Sequence, residues 1–422
     1  MDMNSEPGTG RQAADSPHRS EMVERAGMSF AEFILLMAAL SSIIALSIDI
    51  MLPALPEISH SFSLMDENDR QAVITVFMLG FGCAQILFGP ISDRFGRKAI
   101  LIPATLFYAF AAVADAFADS YTTLLVLRLA QGIAAAAVRI VVNAIIRDCF
   151  GGRDMARVMS YTFTIFMIVP ILAPALGQAI ISVLSWHWIF ILLGLAGLIM
   201  ACWSGFRMRE TLPHENRLPL SFTAIVKAFR EVVTNRQAMG YTLASTLCFG
   251  GLFAYVISAQ QIYQSVYDLG ALFVFAFAVN AGVMAVLNFG NGSLVRRVGM
   301  RLISHSSLIA YAVFGTILLL TCLPGTPPFP IAYALMAAII GAFGLVPPNF
   351  NALAMEPLGH IAGTASSVMG VISFTGGAVL GALVGQAFDG TLIPIAAAFA
   401  AFGWIGVAII VWTEKGRLFA RS

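Results

Sequence analysis

Residues 89–98 read Gly-Pro-Ile-Ser-Asp-Arg-Phe-Gly-Arg-Lys, and residues 292–301 read Gly-Ser-Leu-Val-Arg-Arg-Val-Gly-Met-Arg. Gly89, Arg94, Gly96 and Lys98 match Gly292, Arg297, Gly299 and Arg301 at a constant offset of 203 residues. Both copies sit between the second and third apolar run of their half of the chain. Repetition of a short polar turn at the same place in each half marks a duplicated unit, and in membrane carriers such repeats enclose a substrate site near the bilayer midplane.

Outward from these turns the sequence is apolar almost throughout. Of 422 residues, 59% are hydrophobic and 11% charged, less than half the charged share of about 25% that a water-soluble surface uses. A bilayer-spanning helix needs about 20 mostly apolar residues. Such runs fall at about 30–52, 71–91, 99–118, 122–146, 157–182, 187–206, 237–258, 270–289, 301–322, 329–350, 363–386 and 391–413. The fold expected is an all-α polytopic membrane protein of twelve spans in two six-helix bundles. The bundles are 30–206 and 237–413, and 207–236 is a cytoplasmic linker holding six basic residues with Pro213 and Pro219. Residues 1–29 and 414–422 are cytoplasmic tails, the first polar, expected to be disordered and without the features of a cleaved signal.

Orientation follows from basic residues. With the N-terminus inside, 21 of the 24 Lys and Arg fall in cytoplasmic segments; the exceptions are Arg70, near a span end, and Arg128 and Arg139, inside the fourth span. Positive charge stays on the cytoplasmic side, so both termini are placed there. Cys83, Cys149, Cys202, Cys248 and Cys322 lie apart in separate apolar segments. They have neither paired nor metal-ligand spacing, so free thiols and no metal or cofactor are expected. A net charge of +1 speaks against nucleic acid as a partner.

The loop at 89–98 resembles the signature loop of the major facilitator superfamily. Asp49-Ile-Met-Leu-Pro53-Ala-Leu-Pro56, Arg128-Leu-Ala-Gln131-Gly132 and Ala-Ile-Ile-Arg147-Asp148 resemble that superfamily's drug:proton antiporters. Together with Pro170-Ile-Leu-Ala-Pro174-Ala-Leu-Gly177 and Trp186-His187-Trp188-Ile-Phe190 they resemble the bicyclomycin and chloramphenicol resistance (Bcr/CflA) branch. The resemblance covers essentially the whole chain. It implies proton-coupled efflux of small, largely apolar compounds across a bacterial inner membrane by a protein working as a monomer. Two departures stand out: Ala173 and Gln178 occupy places where glycines often occur, and Ser41 stands where some members carry a second acid. One coupling carboxylate is therefore expected in the first span.

An ionisable group inside a span is costly and usually faces a partner or a water-filled cavity. Burial disfavours a charged carboxyl and a nearby cation favours it, so Asp49 could load and release a proton as its surroundings change; the bland alternative is a solvated aspartate capping the break at Pro53 and Pro56. Arg128 stands at a similar depth, so the two could meet, and Asp115, late in the third span, is a second titrating candidate or an interfacial residue. Arg139 follows Arg128 by eleven residues, about three turns, and Asn143 continues that stripe. Gly89, Asp93, Arg94, Gly96, Arg97 and Lys98 form a candidate cytoplasmic gate, with an acid that bridges neighbouring helix ends in one state and releases them in another. Pro170, Pro174 and Gly177 bend the fifth span and permit close approach. Candidates for the substrate cavity are Arg139, Asn143, Tyr255, Gln260 and Asn280, with Phe249 and Phe253 as apolar neighbours. Two other readings stand beside efflux. Arg139 leaves room for transport of a specific, anionic metabolite; a membrane enzyme or receptor lacks a nucleophile, nucleotide or metal motif.

Overall fold

The computed structural model describes residues 27–217 and 222–419. Among these residues every regular element is helical, as a chain in hydrocarbon requires if its backbone groups are to be satisfied internally. The N-terminal half comprises α1 (Phe30–Asp49), α2 (Leu55–Ser61), α3 (Ala72–Phe95), α4 (Arg97–Asp115), α5 (Tyr121–Cys149), α6 (Gly152–Phe166), α7 (Val169–Ile181) and α8 (His187–Arg207). After α9 (Phe222–Thr234) the other half comprises α10 (Arg236–Gln260), α11 (Phe273–Val298), α12 (Met300–Cys322), α13 (Phe329–Met355), α14 (Ala362–Gln386) and α15 (Ile393–Thr413). Among the described residues eleven stretches are long and apolar enough to cross a membrane, and one of them, Phe329–Gln386, contains both α13 and α14. The break between those two falls where Leu358 leaves helical geometry (φ −114°, ψ 17°). Twelve crossings result. Phe275 is 70% and Phe289 75% exposed on the outer face, a surface suited to lipid and not to water.

Three elements break the simple scheme of one helix per apolar run, two of them at the prolines the sequence places there. The fifth crossing is two helices, α6 and α7, because Pro170 in the first turn of α7 lacks the N–H needed to continue the ladder. The first crossing stops at Asp49 and resumes as α2 after a 3-10 turn at Leu52–Ala54. The linker holds a helix of its own, α9, anchored to the other half by Glu231 on His360 at 2.6 Å.

Both copies of the repeated turn have the same backbone. Gly96 (φ +104°) ends α3 and Gly299 (φ +89°) ends α11, a left-handed conformation that side-chain-bearing residues rarely adopt. The repeat also explains how the halves meet. α3 packs on α14 and α7 packs on α11, and these contacts exchange under a two-fold operation relating the halves, as a duplicated sequence predicts.

The two ends of the assembly differ. At the end remote from Gly96 and Gly299, amides tie the halves together: Asn68 Nδ2 donates to Phe388 O at 2.9 Å and Gln386 O at 3.3 Å. Gln386 Nε2 donates to Asn68 O at 3.1 Å and Gln261 Nε2 to Asn68 Oδ1 at 2.8 Å, while Gln71 donates to Gln261. At the opposite, basic end no hydrogen bond or ion pair joins the halves among the described residues.

Candidate functional site

Between the halves lies a cavity of about 680 Å³, lined by ten phenylalanines and four methionines from both halves. It runs from Asp49 and Tyr255, beneath the amide seal, to Asn143, Asn351 and Ser366 near the basic end. Aromatic faces and flexible thioethers adapt to many apolar shapes. Among the described lining residues the carboxylate is Asp49 and the guanidinium is Arg139.

Asp49 is the last residue of α1, 6% exposed, and its carboxyl has no hydrogen-bond partner among the described residues. It faces the cavity because the helix stops there. α7 makes that stop possible, since a Cβ on Gly177 would lie 2.1 Å from Ile50 O and no larger residue leaves space for the turn. Pro170 lines the cavity at the start of α7 and Pro174 lies within that helix.

Arg128 is placed differently from the expectation that it meets Asp49. Its guanidinium is fully buried inside the N-terminal half and donates to Val73 O (3.0 Å), Gln131 Oε1 (2.6 Å) and Ser47 O (3.0 Å). It also stacks 4.5 Å from the Phe77 ring and 5.8 Å from Phe190. The Ser47 carbonyl is free to accept because the break in α1 sends Met51 N–H to Ile48 O instead. Arg128 thus holds the backbone two residues before Asp49, not the carboxylate itself. Asp115 is fully buried within the N-terminal half, neither oxygen has a partner among the described residues, and the charge acting on it is that of Arg128. Arg139, three turns farther along the same face of α5, lines the cavity. Asn143, one turn on, also lines it.

The remaining cavity candidates divide. Tyr255, Phe249 and Phe253 line the wall, whereas Gln260 and Asn280 do not. Asn280 stands behind Tyr255, donating to the Tyr255 and Tyr263 hydroxyls at 3.0 and 2.9 Å. Gln260, in the last turn of α10, donates to Gln264 at 2.7 Å. Gln85 and Tyr241 line the cavity and were not singled out in the sequence. Gln85 stands one turn before the Gly89 loop on α3, and that spacing could have found it.

At the basic end Arg97 is 3% exposed and fastened within its own half, to Asp93 (2.5 Å), Ser92 Oγ (2.8 Å) and Asp148 (2.7 Å). Glu210 accepts from the first N–H groups of α4, Arg97 N (2.9 Å) and Lys98 N (3.1 Å), while Lys98 Nζ closes on Gly205 O and Met208 O, both 2.7 Å. Its repeat partner Arg301 makes the corresponding tie in the other half, to Glu356 (3.1 Å) and Glu414 (3.2 Å). Arg94 is exposed, its guanidinium 5.7 Å from the Phe95 ring. Gly89 is the member of the loop that approaches the other half, with Ser367 Oγ 3.7 Å from where its Cβ would be.

Residues 37–382 match the family model described as Major Facilitator Superfamily. A bicyclomycin resistance protein homolog of Haemophilus influenzae is 31% identical over 364 residues, covering 86% of this chain and 91% of that protein. The chain belongs to the Major Facilitator Superfamily, in its Bcr/CflA branch. Other members similar to it are the chloramphenicol resistance protein CraA of Acinetobacter baumannii, 31% identical over 47% of this chain and 48% of that one, and the multidrug resistance protein MdtL of Escherichia fergusonii, 26% identical over 92% and 97%. The fold of this facilitator is also that of the xylose transporter XylE from E. coli in a partially occluded inward open conformation (TM-score 0.69, 11% identity, 90% of this chain and 97% of that one). Superfamily membership makes the protein a multi-pass membrane transporter of small molecules, not an enzyme.

Proposed function

We propose that this facilitator exports small, largely apolar compounds across the bacterial inner membrane in exchange for protons, by alternating access within one chain. The observation that carries the reading is the cavity itself: an aromatic chamber closed by amides at one end, with a carboxyl that has no hydrogen-bond partner among the described residues at its closed end. Relatives named for bicyclomycin, chloramphenicol and multidrug resistance support export and the substrate class. The excess of Lys and Arg at the open end, where the described chain begins at Gly27 beside Arg209 and ends at Phe419 beside His305, supports a cytoplasmic mouth. Asp49 is the proton carrier in this scheme, Arg128 fixes the backbone beside it, and Asp115 is a second protonatable group behind Arg128. Proteoliposomes loaded with chloramphenicol test the whole: an imposed pH gradient should drive its movement against its own gradient, and movement indifferent to that gradient removes the coupling.

The loop Gly89, Asp93, Arg94, Gly96, Arg97 and Lys98 is the cytoplasmic gate of this scheme. Asp93 bonds within its own half while the mouth stands open, which fits a latch in its released state. Asp93→Asn should lower turnover about tenfold, the size of a typical coupling between conformational states, with substrate binding unchanged. Wild-type turnover in reconstituted vesicles removes the assignment.

A further inference from the structure

The cations that this fold draws inside are supplied with oxygen. Arg97 has Asp93 and Asp148, Arg128 has two carbonyls and Gln131, and Arg301 has Glu356 and Glu414. Arg139 is different. Its guanidinium lies 5.7 Å from the Phe166 ring, and it makes no hydrogen bond or ion pair among the described residues. Asp49 cannot serve it. Arg128 reaches Ser47 O, which fixes the depth of Asp49 relative to α5, and Arg139 lies eleven residues farther along that helix, about 16 Å toward the mouth.

A guanidinium set in an apolar wall needs a carboxylate, carbonyl or water partner, and its planar fork matches two oxygens of one anionic group. The Phe166 ring, 5.7 Å away, takes none of the N–H groups, which are left for a ligand. Resting on the export reading, we infer that Arg139 is an anion subsite, and that the substrates held best are aromatic or otherwise apolar monoanions. Their carboxylate or sulfonate oxygens accept from the Arg139 fork while the body of the molecule lies among the phenylalanines toward Tyr255. Asn143, one turn nearer the mouth, adds an amide donor on the entry path. Asp49 remains free for the proton, so cargo charge and proton occupy separate places in the chamber.

A matched pair separates charge from shape: 1-naphthalenesulfonate and the neutral 1-naphthalenesulfonamide, titrated into the detergent-purified full chain. The wild type should bind the sulfonate about tenfold or more tightly than the sulfonamide, as expected for hydrogen bonds to a charged partner. Arg139→Gln should abolish that preference while leaving sulfonamide binding in place, and Arg139→Lys, which keeps charge but loses the fork, should restore part of it. Equal wild-type affinity for the two compounds overturns the inference before any variant is made, and an equal loss of both in Arg139→Gln makes Arg139 a packing residue. Vesicles distinguish this from failure of the export reading. If a pH gradient drives the neutral compound and no anion preference exists, the subsite falls and export stands; if the preference holds but no gradient drives either compound, the subsite stands and the coupling falls.

Discussion

In Asp49→Asn vesicles, an imposed pH gradient should produce no accumulation of substrate, whereas exchange of labelled for unlabelled substrate across the same membrane should continue. Asparagine keeps the size of the side chain and can donate and accept hydrogen bonds, so the turn after α1 and the cavity wall survive. What is lost is the exchangeable proton. With one proton per substrate, each pH unit sustains about tenfold accumulation in the wild type, because one unit is about 1.4 kcal/mol per proton. The variant should sustain none. Asp49 is well placed for this role because its carboxyl faces the cavity without a fixed ion-pair partner among the described residues. In the proposed scheme its charge is set by what enters the chamber: water from the open side, or an apolar substrate that displaces it. If Asp49→Asn vesicles still concentrate substrate at the expense of the pH gradient, the carrier is another group, and Asp115 is the next to test.

The crossings were legible in the sequence because lipid imposes one rule on every span, and the two-fold interface of α3 with α14 and α7 with α11 follows from the 203-residue repeat. The break after Asp49 was legible too, since Pro53 and Pro56 remove two backbone donors. Neighbours across the bundle were harder. Position along a helix gives the depth of Arg128 and of Asp49, but not which helix covers a given face at that depth. Arg128 and Arg139 share a face of α5, and one is enclosed by α1, α3 and α8 while the other opens on the cavity. Asp115 stands four residues before Asp119 and could be read from spacing as a titrating group or an interfacial one; that α4 turns it fully inward is a matter of packing that spacing does not carry. Asn280 and Gln260 failed as cavity residues for a related reason: an amide inside a span is as well used holding a tyrosine or another amide behind the wall as facing a substrate.

Arg128→Met should fail in a way that Asp49→Asn does not, by loosening the protein as well as disabling it. The wild-type guanidinium joins three helices, with bonds to Ser47 O on α1, Val73 O on α3 and Gln131 on its own α5. Ser47 O is a last-turn carbonyl that α1 itself leaves without a partner. Methionine preserves most of the volume between Phe77 and Phe190 but donates nothing, so a buried carbonyl and a buried amide oxygen lose their partner. At about 1–3 kcal/mol for each unsatisfied buried group, the two together should cost about 2–6 kcal/mol. The melting midpoint in detergent should fall, and amide hydrogen exchange should rise at residues 47–54, the turn that presents Asp49. Substrate exchange, retained in Asp49→Asn, should be reduced here, because the displaced turn forms part of the cavity floor. Arg128→Lys should recover little: a single ammonium at the end of a flexible stem cannot reach acceptors spread over the width of a planar fork. A variant with unchanged melting and unchanged exchange at 47–54, but with proton coupling lost, would mean that Arg128 acts in the proton relay itself and that holding the α1 break is incidental.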